Sequence, residues 1–490
     1  MTTLSLPAAA SRRGAPATLR RGAPATLRLG ALATPRRGVL ATLLGGLVGC
    51  GPQAEPVVSG IALPSRFREA GDAPVQWPDP QWWAGFGSPE LNRLMAEAAA
   101  GNFDLAAAAA RIRQADAQLR IAGSALFPQL DGGANVTRSR PAGSNGNRFR
   151  GTTTYDLSLS ASYELDLWGR IRSTTDAAAF TARASRFDAA AVGLTTEASV
   201  ANTYFQVLEA AAELRVEEEN LDAAQRTLAV IRAQVTAGTA TGLDLAQQET
   251  VVAQQQANIP PLRQSIAQNT LALATLVGRP PEDVTVSPAG FDQLRVPAVS
   301  PGLPAELLAR RPDVLAAEAN LAAANADVAA ARAALLPTAV LSAQGGFRSL
   351  VLGTLISPEA TFYSLVAQLA QTIFDGGARR GQVELSRAQA EELLVEYRRA
   401  IVSALVDVDT SLVALRETTE QEKLRAEAAA RAARAFGIAE AQLRAGTINL
   451  ITLLTAQGTL FSARTALVQV RLARLQAAVG LFRSLGGGWR

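Results

Sequence analysis

The sequence predicts a membrane α/β-barrel: a trimeric, 12-stranded β-barrel with four strands from each copy of the chain, continuing into a long α-helical coiled-coil tunnel. Three observations predict this fold class. The 490-residue chain repeats its landmarks once, each half holds stretches of alternating apolar and polar residues, and long uninterrupted helical segments lie beside them. The chain is therefore expected to be internally duplicated, with a strand pair and a long helical hairpin in each half.

The composition excludes several classes of chemical site. Histidine is absent and cysteine occurs once, which removes Ser-His-Asp and Cys-His nucleophiles and the ordinary His/Cys metal centres. We therefore expect no enzyme, no metal and no cofactor. Lys and Arg total 47 against 43 acids, but arginines are concentrated in the first 49 residues, which hold no acid. The basic balance therefore gives no indication of a nucleic-acid partner.

Residues 1–49 are predicted to be a lipoprotein signal peptide. A basic start and a short apolar run, Gly38 to Gly49, are typical of a secretory signal and too short for a permanent membrane helix. Leu47-Val48-Gly49-Cys50 resembles a bacterial lipobox, which implies cleavage before Cys50 and a covalent lipid such as palmitate on it. By analogy, glycine rather than aspartate after the cysteine favours the outer membrane. The alternative is a buried or stray thiol.

The duplication sets the expected domain boundaries. Equivalent landmarks recur 208 or 209 residues apart: Ala237-Gly238-Thr239 with Ala445-Gly446-Thr447, Gly169 with Gly377, and Leu126-Phe127-Pro128 with Leu335-Leu336-Pro337. After the signal we expect a lipidated tether (50–88), a first repeat (89–278), an equatorial linker (279–311), a second repeat (312–482) and a C-terminal tail (483–490).

The first predicted β-hairpin, residues 129–167, contains a strictly alternating strand. Its odd positions are Tyr155, Leu157, Leu159, Ala161, Tyr163, Leu165 and Leu167, and its even positions are Thr154, Asp156, Ser158, Ser160, Ser162, Glu164 and Asp166. An apolar face opposite a polar face fits a barrel wall between lipid and water. The two tyrosines, about 26 Å apart along a strand, suit aromatic girdles at both interfaces.

The second predicted β-hairpin, residues 338–374, repeats this pattern. Leu341, Ala343 and Phe347 oppose Ser342, Gln344 and Arg348, while Tyr363, Leu365, Ala367, Leu369 and Ile373 oppose Ser364, Gln368 and Thr372. Alternatively, any one such strand could belong to a soluble β-sandwich, with one face in the core and the other exposed to water. Four strands cannot close a membrane barrel, and an open edge in lipid is costly, so several copies must combine; three copies would give twelve strands. Segments 140–151 and 350–359 would be loops across the membrane.

Between the hairpins the sequence predicts very long helices. Residues 169–236 contain no proline and could extend about 100 Å as one helix. Heptad spacing, in Leu214, Leu221, Leu228 and Val235, is typical of a coiled coil. The long helices are expected to turn at two tips, residues 237–243 around Gly238 and residues 445–449 around Gly446.

These features resemble the TolC-like outer-membrane efflux channels, specifically the lipoprotein branch that includes OprM and NodT. The resemblance covers almost everything after Cys50, and is carried by Gln81-Trp82-Trp83, the segment Tyr163 to Arg170, Arg311-Pro312-Asp313, Phe374-Asp375-Gly376-Gly377 and Leu453-Leu454-Thr455-Ala456-Gln457. It implies a homotrimer with a periplasmic tunnel, docked to a periplasmic membrane-fusion adaptor and a proton-driven inner-membrane pump of the RND type. The chain would be a passive exit duct for drugs or other small molecules.

The resemblance also locates an aperture near the tips. Relatives carry Asp where this chain has Thr455, which puts an acidic gate in doubt, and Asp244 is the nearest acid. Alternatively, Asp244 is simply an acid that stabilises the N-terminus of its helix. We therefore expect a closed aperture held by packing around Leu450, Leu453 and Leu454.

Two other functions fit parts of the sequence. A lipid-anchored coiled-coil tether of the cell envelope would explain the lipobox and heptads, but not the alternating strands. An enzyme built on a carboxylate pair such as Glu164 and Asp166 is disfavoured, because a polar channel wall explains those acids without catalysis.

Overall fold

The computed structural model describes residues 59–69, 77–140, 151–299 and 301–489. The predicted signal peptide, Cys50 and most of the first hairpin loop lie outside the described residues. Among the helices described, none is long and apolar enough to cross a bilayer.

One four-stranded antiparallel sheet joins the two halves of the chain. Its strands are β1 (Gln129–Ser139), β2 (Thr152–Leu165), β3 (Thr338–Ser349) and β4 (Thr361–Ala370), in the spatial order β1-β2-β3-β4. The central pairing therefore joins β2 of the first repeat to β3 of the second. Within the described sheet, β1 and β4 each keep one edge unpaired.

The first repeat contributes four helices: α1 (Pro89–Gly101), α2 (Phe103–Ser124), α3 (Arg170–Thr236) and α4 (Gly242–Val277). Helix α1 begins at Pro89 and is capped by Ser88, whose side chain accepts the amide of Leu91. With 67 residues, α3 is about 100 Å long. Helix α4 continues through Pro260 and Pro261, although proline usually interrupts a helix.

The second repeat contributes α5 (Pro304–Leu308), α6 (Pro312–Ala333), α7 (Ala378–Arg444) and α8 (Leu450–Ser484). Helices α3 and α7 have the same length, and each follows a glycine with positive φ, Gly169 at 78° and Gly377 at 92°. The linker between the repeats contains α5 and two 3₁₀ turns, at Pro281–Asp283 and Phe291–Gln293.

Two strand ends differ from the sequence prediction. The alternation was expected to run to Leu167 and to include Thr372 and Ile373, but β2 ends at Leu165 and β4 at Ala370. Side chains bind the backbone just beyond each strand. Asp166 accepts the amides that start α3, and the Gln371 amide group donates to the carbonyls of Leu335 and Thr372.

The largest hydrophobic core lies where α1, α3, α4 and α8 meet. Trp82 stacks on Phe482 with ring centroids 5.2 Å apart, and Phe86 packs on Phe205 at 5.0 Å. A second cluster, around Phe67 and Ile401, ties the N-terminal segment to α6 and α7. A third cluster lies near the tips, between α3, α7 and α8. Apolar packing therefore fixes both the middle and the tip end of the helical hairpins.

Candidate functional site

The sheet has two chemically different faces, and the register of its strands fixes them. Residues opposite each other in antiparallel strands lie on the same face. Leu157 is opposite Ala134 and Phe347, whereas Ser160 is opposite Asp131 and Gln344. The apolar face comprises Leu130, Ala134, Val136, Tyr155, Leu157, Leu159, Ala161, Tyr163, Leu165, Ala339, Leu341, Ala343, Phe347, Tyr363, Leu365, Ala367 and Leu369. This is the surface expected of a barrel wall that meets lipid.

The apolar face is open to the surroundings of the protomer. Leu159 is 52% exposed, Leu365 is 77% exposed and Tyr363 is 83% exposed, although they lie in a regular sheet. No element of the described chain covers them. A large continuous apolar surface of this kind marks contact with a membrane or with another protein.

The opposite face is polar and carries paired charges. The Asp156 carboxylate accepts from the Arg348 guanidinium at 2.8 Å, and Glu164 accepts from Arg170 at 2.7 Å. Arg348 also lies over the ring of Phe362, 4.6 Å from its centroid. Val340, Phe362, Val366 and Ala370 are apolar exceptions on this face. A water-filled interior tolerates such a mixture, whereas lipid would not.

Glycines let the strands approach closely in the middle of the sheet. On one side of β2, Gly132 and Gly133 are opposite Leu159 and Ser158; on the other side, Gly345 and Gly346 are opposite the same two residues. A Cβ at Gly346 would collide with the carbonyl oxygen of Leu157. Glycine here permits the strong curvature that a barrel wall needs.

The two tips of the helical hairpins have the same geometry. Gly238 and Gly446 adopt φ of 77° and 71°, a region that favours glycine. The amides of Thr239 and Thr447 donate to the carbonyls of Gln234 and Gln442, at 2.9 and 3.0 Å. The duplication thus extends to the hydrogen bonds of both turns.

The predicted aperture residues lie at the tip end but in different environments. Leu450 and Leu453 are buried in the third cluster, and Leu454 packs partly against it. Thr455 is exposed, and its hydroxyl donates to the carbonyl of Ile451 at 2.9 Å. Asp244 accepts the amide and the hydroxyl of Thr241 in a capping box, which lowers the pKa of its carboxyl.

Leu243 and Ile451 were missed by the sequence reasoning. They are 67% and 63% exposed, occupy equivalent positions 208 residues apart, and each lies in the first turn of the helix after its tip. Their equivalence could have been found by extending the repeat alignment past the tip turns. An exposed aliphatic side chain thus occupies the equivalent position at both tips.

The described residues offer no metal centre: no group of three or more metal-binding side chains comes together in them. The features that remain are a two-faced sheet at one end and paired helical tips at the other. This arrangement suits passage of solutes along a wall.

A family model described as outer membrane efflux protein matches residues 94–279 and 303–487. The chain belongs to this family. It is 40% identical over 452 residues to the pyoverdine export outer membrane protein OpmQ of Pseudomonas aeruginosa, covering 90% of this chain and 94% of that protein. OpmQ of Pseudomonas putida is 39% identical, covering 91% of this chain and 96% of that protein.

Solved structures agree with this assignment. The outer-membrane channel OprN superposes with a TM-score of 0.83 at 27% identity, covering 90% of this chain and 99% of that chain. The open-state MtrE channel of Neisseria gonorrhoeae gives a TM-score of 0.81 at 28% identity, covering 90% and 98%. The predicted family, fold class and outer-membrane location are confirmed, and the protein is an outer-membrane efflux channel.

Proposed function

We propose that three copies of this chain form one continuous duct, as the exit component of a tripartite efflux system. The observation that carries the proposal is the four-stranded sheet with one apolar and one polar face, joined to hairpins of 67-residue helices. The unpaired edges of β1 and β4 support association, because an open sheet edge in lipid leaves backbone groups unsatisfied at several kcal/mol each.

The duct conducts many kinds of small molecule without selecting among them by shape. Relatives of this chain are named for export of pyoverdine, for antibiotic efflux and for toluene efflux, which are chemically unlike solutes. No cofactor is required. The partner that selects the solute and supplies energy is an inner-membrane pump of the RND type.

A periplasmic adaptor docks at the tips, next to Leu243 and Ile451. These side chains lie far from the membrane sheet, at the other end of helices about 100 Å long. Because each repeat supplies one, a trimer presents six similar apolar contacts around its end. This number suits an adaptor assembled from equivalent subunits.

The lipid on Cys50 anchors the duct beside its own barrel. The carbonyl of Ser59 accepts from Arg398 at 2.7 Å, while Glu69 pairs with Arg416 at 2.8 Å, so this segment runs along α7 towards the sheet. From Arg398 to the start of α7 is about 30 Å of helix. The nine residues from Cys50 to Ser59 span about 30 Å when extended, which is enough to reach from Ser59 to the level of the start of α7. The test is incorporation of labelled palmitate: wild type should incorporate it and Cys50→Ser should not.

The resting aperture depends on packing around Leu450, Leu453 and Leu454. The first two hold the start of α8 in the third cluster, so a polar residue at this point should loosen the tip. In planar bilayers, Leu454→Ser should raise single-channel conductance. Asp244→Asn should leave it unchanged, and the opposite result would indicate an electrostatic gate.

The function is tested by deleting the gene and measuring intracellular accumulation of a panel of dyes, antibiotics and secreted metabolites. Accumulation should rise for several chemically different compounds and return to normal on complementation. Purified protein should also conduct ions across a planar bilayer. Unchanged accumulation across the panel, or protein that never conducts, would overturn the proposal.

A further inference from the structure

The polar face of the sheet carries one carboxylate that no cation neutralises. On this face and at its helical rim, Asp156 pairs with Arg348, Glu164 with Arg170, Asp166 with Arg172, and Asp375 with Arg379. Asp131 is the exception: among the described residues its only side-chain partner is the neutral amide of Gln129, at 3.3 Å.

The position of Asp131 is set by the register. It lies opposite Ser160 on β2, and Ser160 lies opposite Gln344 on β3, which is opposite Ser364 on β4. These four residues form one row across the middle of the sheet, in which the three neighbours of Asp131 are uncharged. In a closed trimer the row would become a ring holding three carboxylates at one height.

We propose that Asp131 makes the barrel section of the duct prefer cations over anions. This inference rests on the proposed trimer. A barrel of 12 tilted strands has a backbone radius of about 12 Å, so the carboxylates would lie roughly 10 Å from the axis. The charge on each would reach the whole cross-section at low salt, where the Debye length is about 30 Å at 0.01 M.

The size of the preference follows from three charges acting through water. At about 10 Å and an ionic strength of ~0.01 M, each monovalent ion on the axis would feel about 0.9 kcal/mol, which enriches cations over anions roughly 20-fold. At 1 M salt the Debye length falls to about 3 Å and the preference would disappear. A salt-dependent preference therefore distinguishes this ring from selection by size.

The consequence for transport concerns charged solutes. A protonated amine or other organic cation would enter the barrel more readily than an anion of equal size, while neutral molecules would be unaffected. The pump would still choose the solute, and Asp131 would bias its final passage.

The test is the reversal potential of the full-length trimer in a planar bilayer with a potassium chloride gradient centred near 0.01 M, repeated near 1 M. We expect wild type and Asp131→Glu to prefer potassium at low salt. Asp131→Asn should reduce the ratio of cation to anion permeability several-fold, and Asp131→Lys should invert it. Gel mobility of unheated samples checks that each variant assembles.

The possible results separate this inference from the proposed function. Wild-type protein that does not conduct at all would overturn the duct itself. Conducting protein with no cation preference at low salt, or with a preference that survives in Asp131→Lys, would overturn the role of Asp131 and leave the duct intact.

Discussion

The two faces of β2 can be tested with neighbouring substitutions, Leu159→Arg and Ser160→Arg. Leu159 lies near the middle of β2 on the apolar face, and Ser160 follows it on the polar face. One introduced arginine should therefore enter the hydrocarbon core of the bilayer. The other should enter water.

The structure sets the magnitude of each effect. An arginine on the lipid face near the bilayer midplane costs about 2–4 kcal/mol, which lowers the folding constant roughly 30- to 900-fold per copy. Three copies multiply the penalty to about 6–12 kcal/mol per trimer. At position 160 the arginine would face Asp131 across the strand pair, so its effect should be neutral or slightly favourable.

The assay is urea unfolding of each protein reconstituted into vesicles, followed by the gel mobility of unheated samples. Leu159→Arg should unfold at much lower urea or fail to form a heat-sensitive species, whereas Ser160→Arg should resemble wild type. Equal effects, or a larger effect at position 160, would refute the assignment of the faces.

Three further predictions concern the described helices and the sheet. Burial raises the pKa of Glu197 to about 7, although the Trp82 indole donates to its carboxyl at 3.3 Å. The folded protein should thus lose stability as pH rises from about 4.5 through 7, because the carboxyl of Glu197 ionises less readily when folded than when unfolded. In thermal unfolding, Glu197→Gln should raise the free energy of unfolding by about 2 kcal/mol at pH 8, but by less than about 1 kcal/mol at pH 5. Arg311→Ala should cost about 2–3 kcal/mol in denaturant unfolding, because it leaves its two aspartate partners uncompensated. Gly346→Val should abolish trimer assembly on native gels while Gly345→Ala is tolerated, since a Cβ at Gly346 would collide with the Leu157 carbonyl oxygen, whereas a Cβ at Gly345 would lie 3.6 Å from the nearest backbone oxygen, an ordinary contact.

The sequence predicted the sheet well, because lipid and water impose opposite requirements on alternate residues. Most of β2 and β3 alternates, with Val340 an exception in β3, and the two turns at Gly238 and Gly446 carry the glycines that a positive φ demands. Periodicity could not give the ends of β2 and β4. Those ends depend on side chains such as Asp166, which bind the backbone just beyond a strand.

Features that depend on distant packing were not predictable from the sequence. Phe67 lies in a segment with no periodicity, yet it is buried against α6 and α7. Gly488 looks like part of a loose tail, but a Cβ there would collide with the backbone of Asp79 and Pro80. The Arg311 guanidinium reaches Asp407 on α7, 96 residues further along the chain, and nothing in the local sequence indicates this contact. Such contacts join residues far apart in the chain.

The candidate site was only partly predictable, for a related reason. The sequence placed several leucines near the tip, but it could not tell which of them the protomer buries in its own packing. Leu453 is buried and Ile451, two residues earlier, is exposed. Which side of α8 faces the third cluster is decided by the packing of α3 and α7, not by local spacing.

The central claim is that each copy supplies one third of a closed barrel, and photo-crosslinking from the outer edge of the sheet tests it most directly. A benzoylphenylalanine at Ala367 on β4 should join this edge to β1 of another copy in native outer membranes. The account predicts a denaturing gel ladder of one, two and three chains that stops at three. A chain that remains monomeric, or a ladder that continues past three, would contradict it.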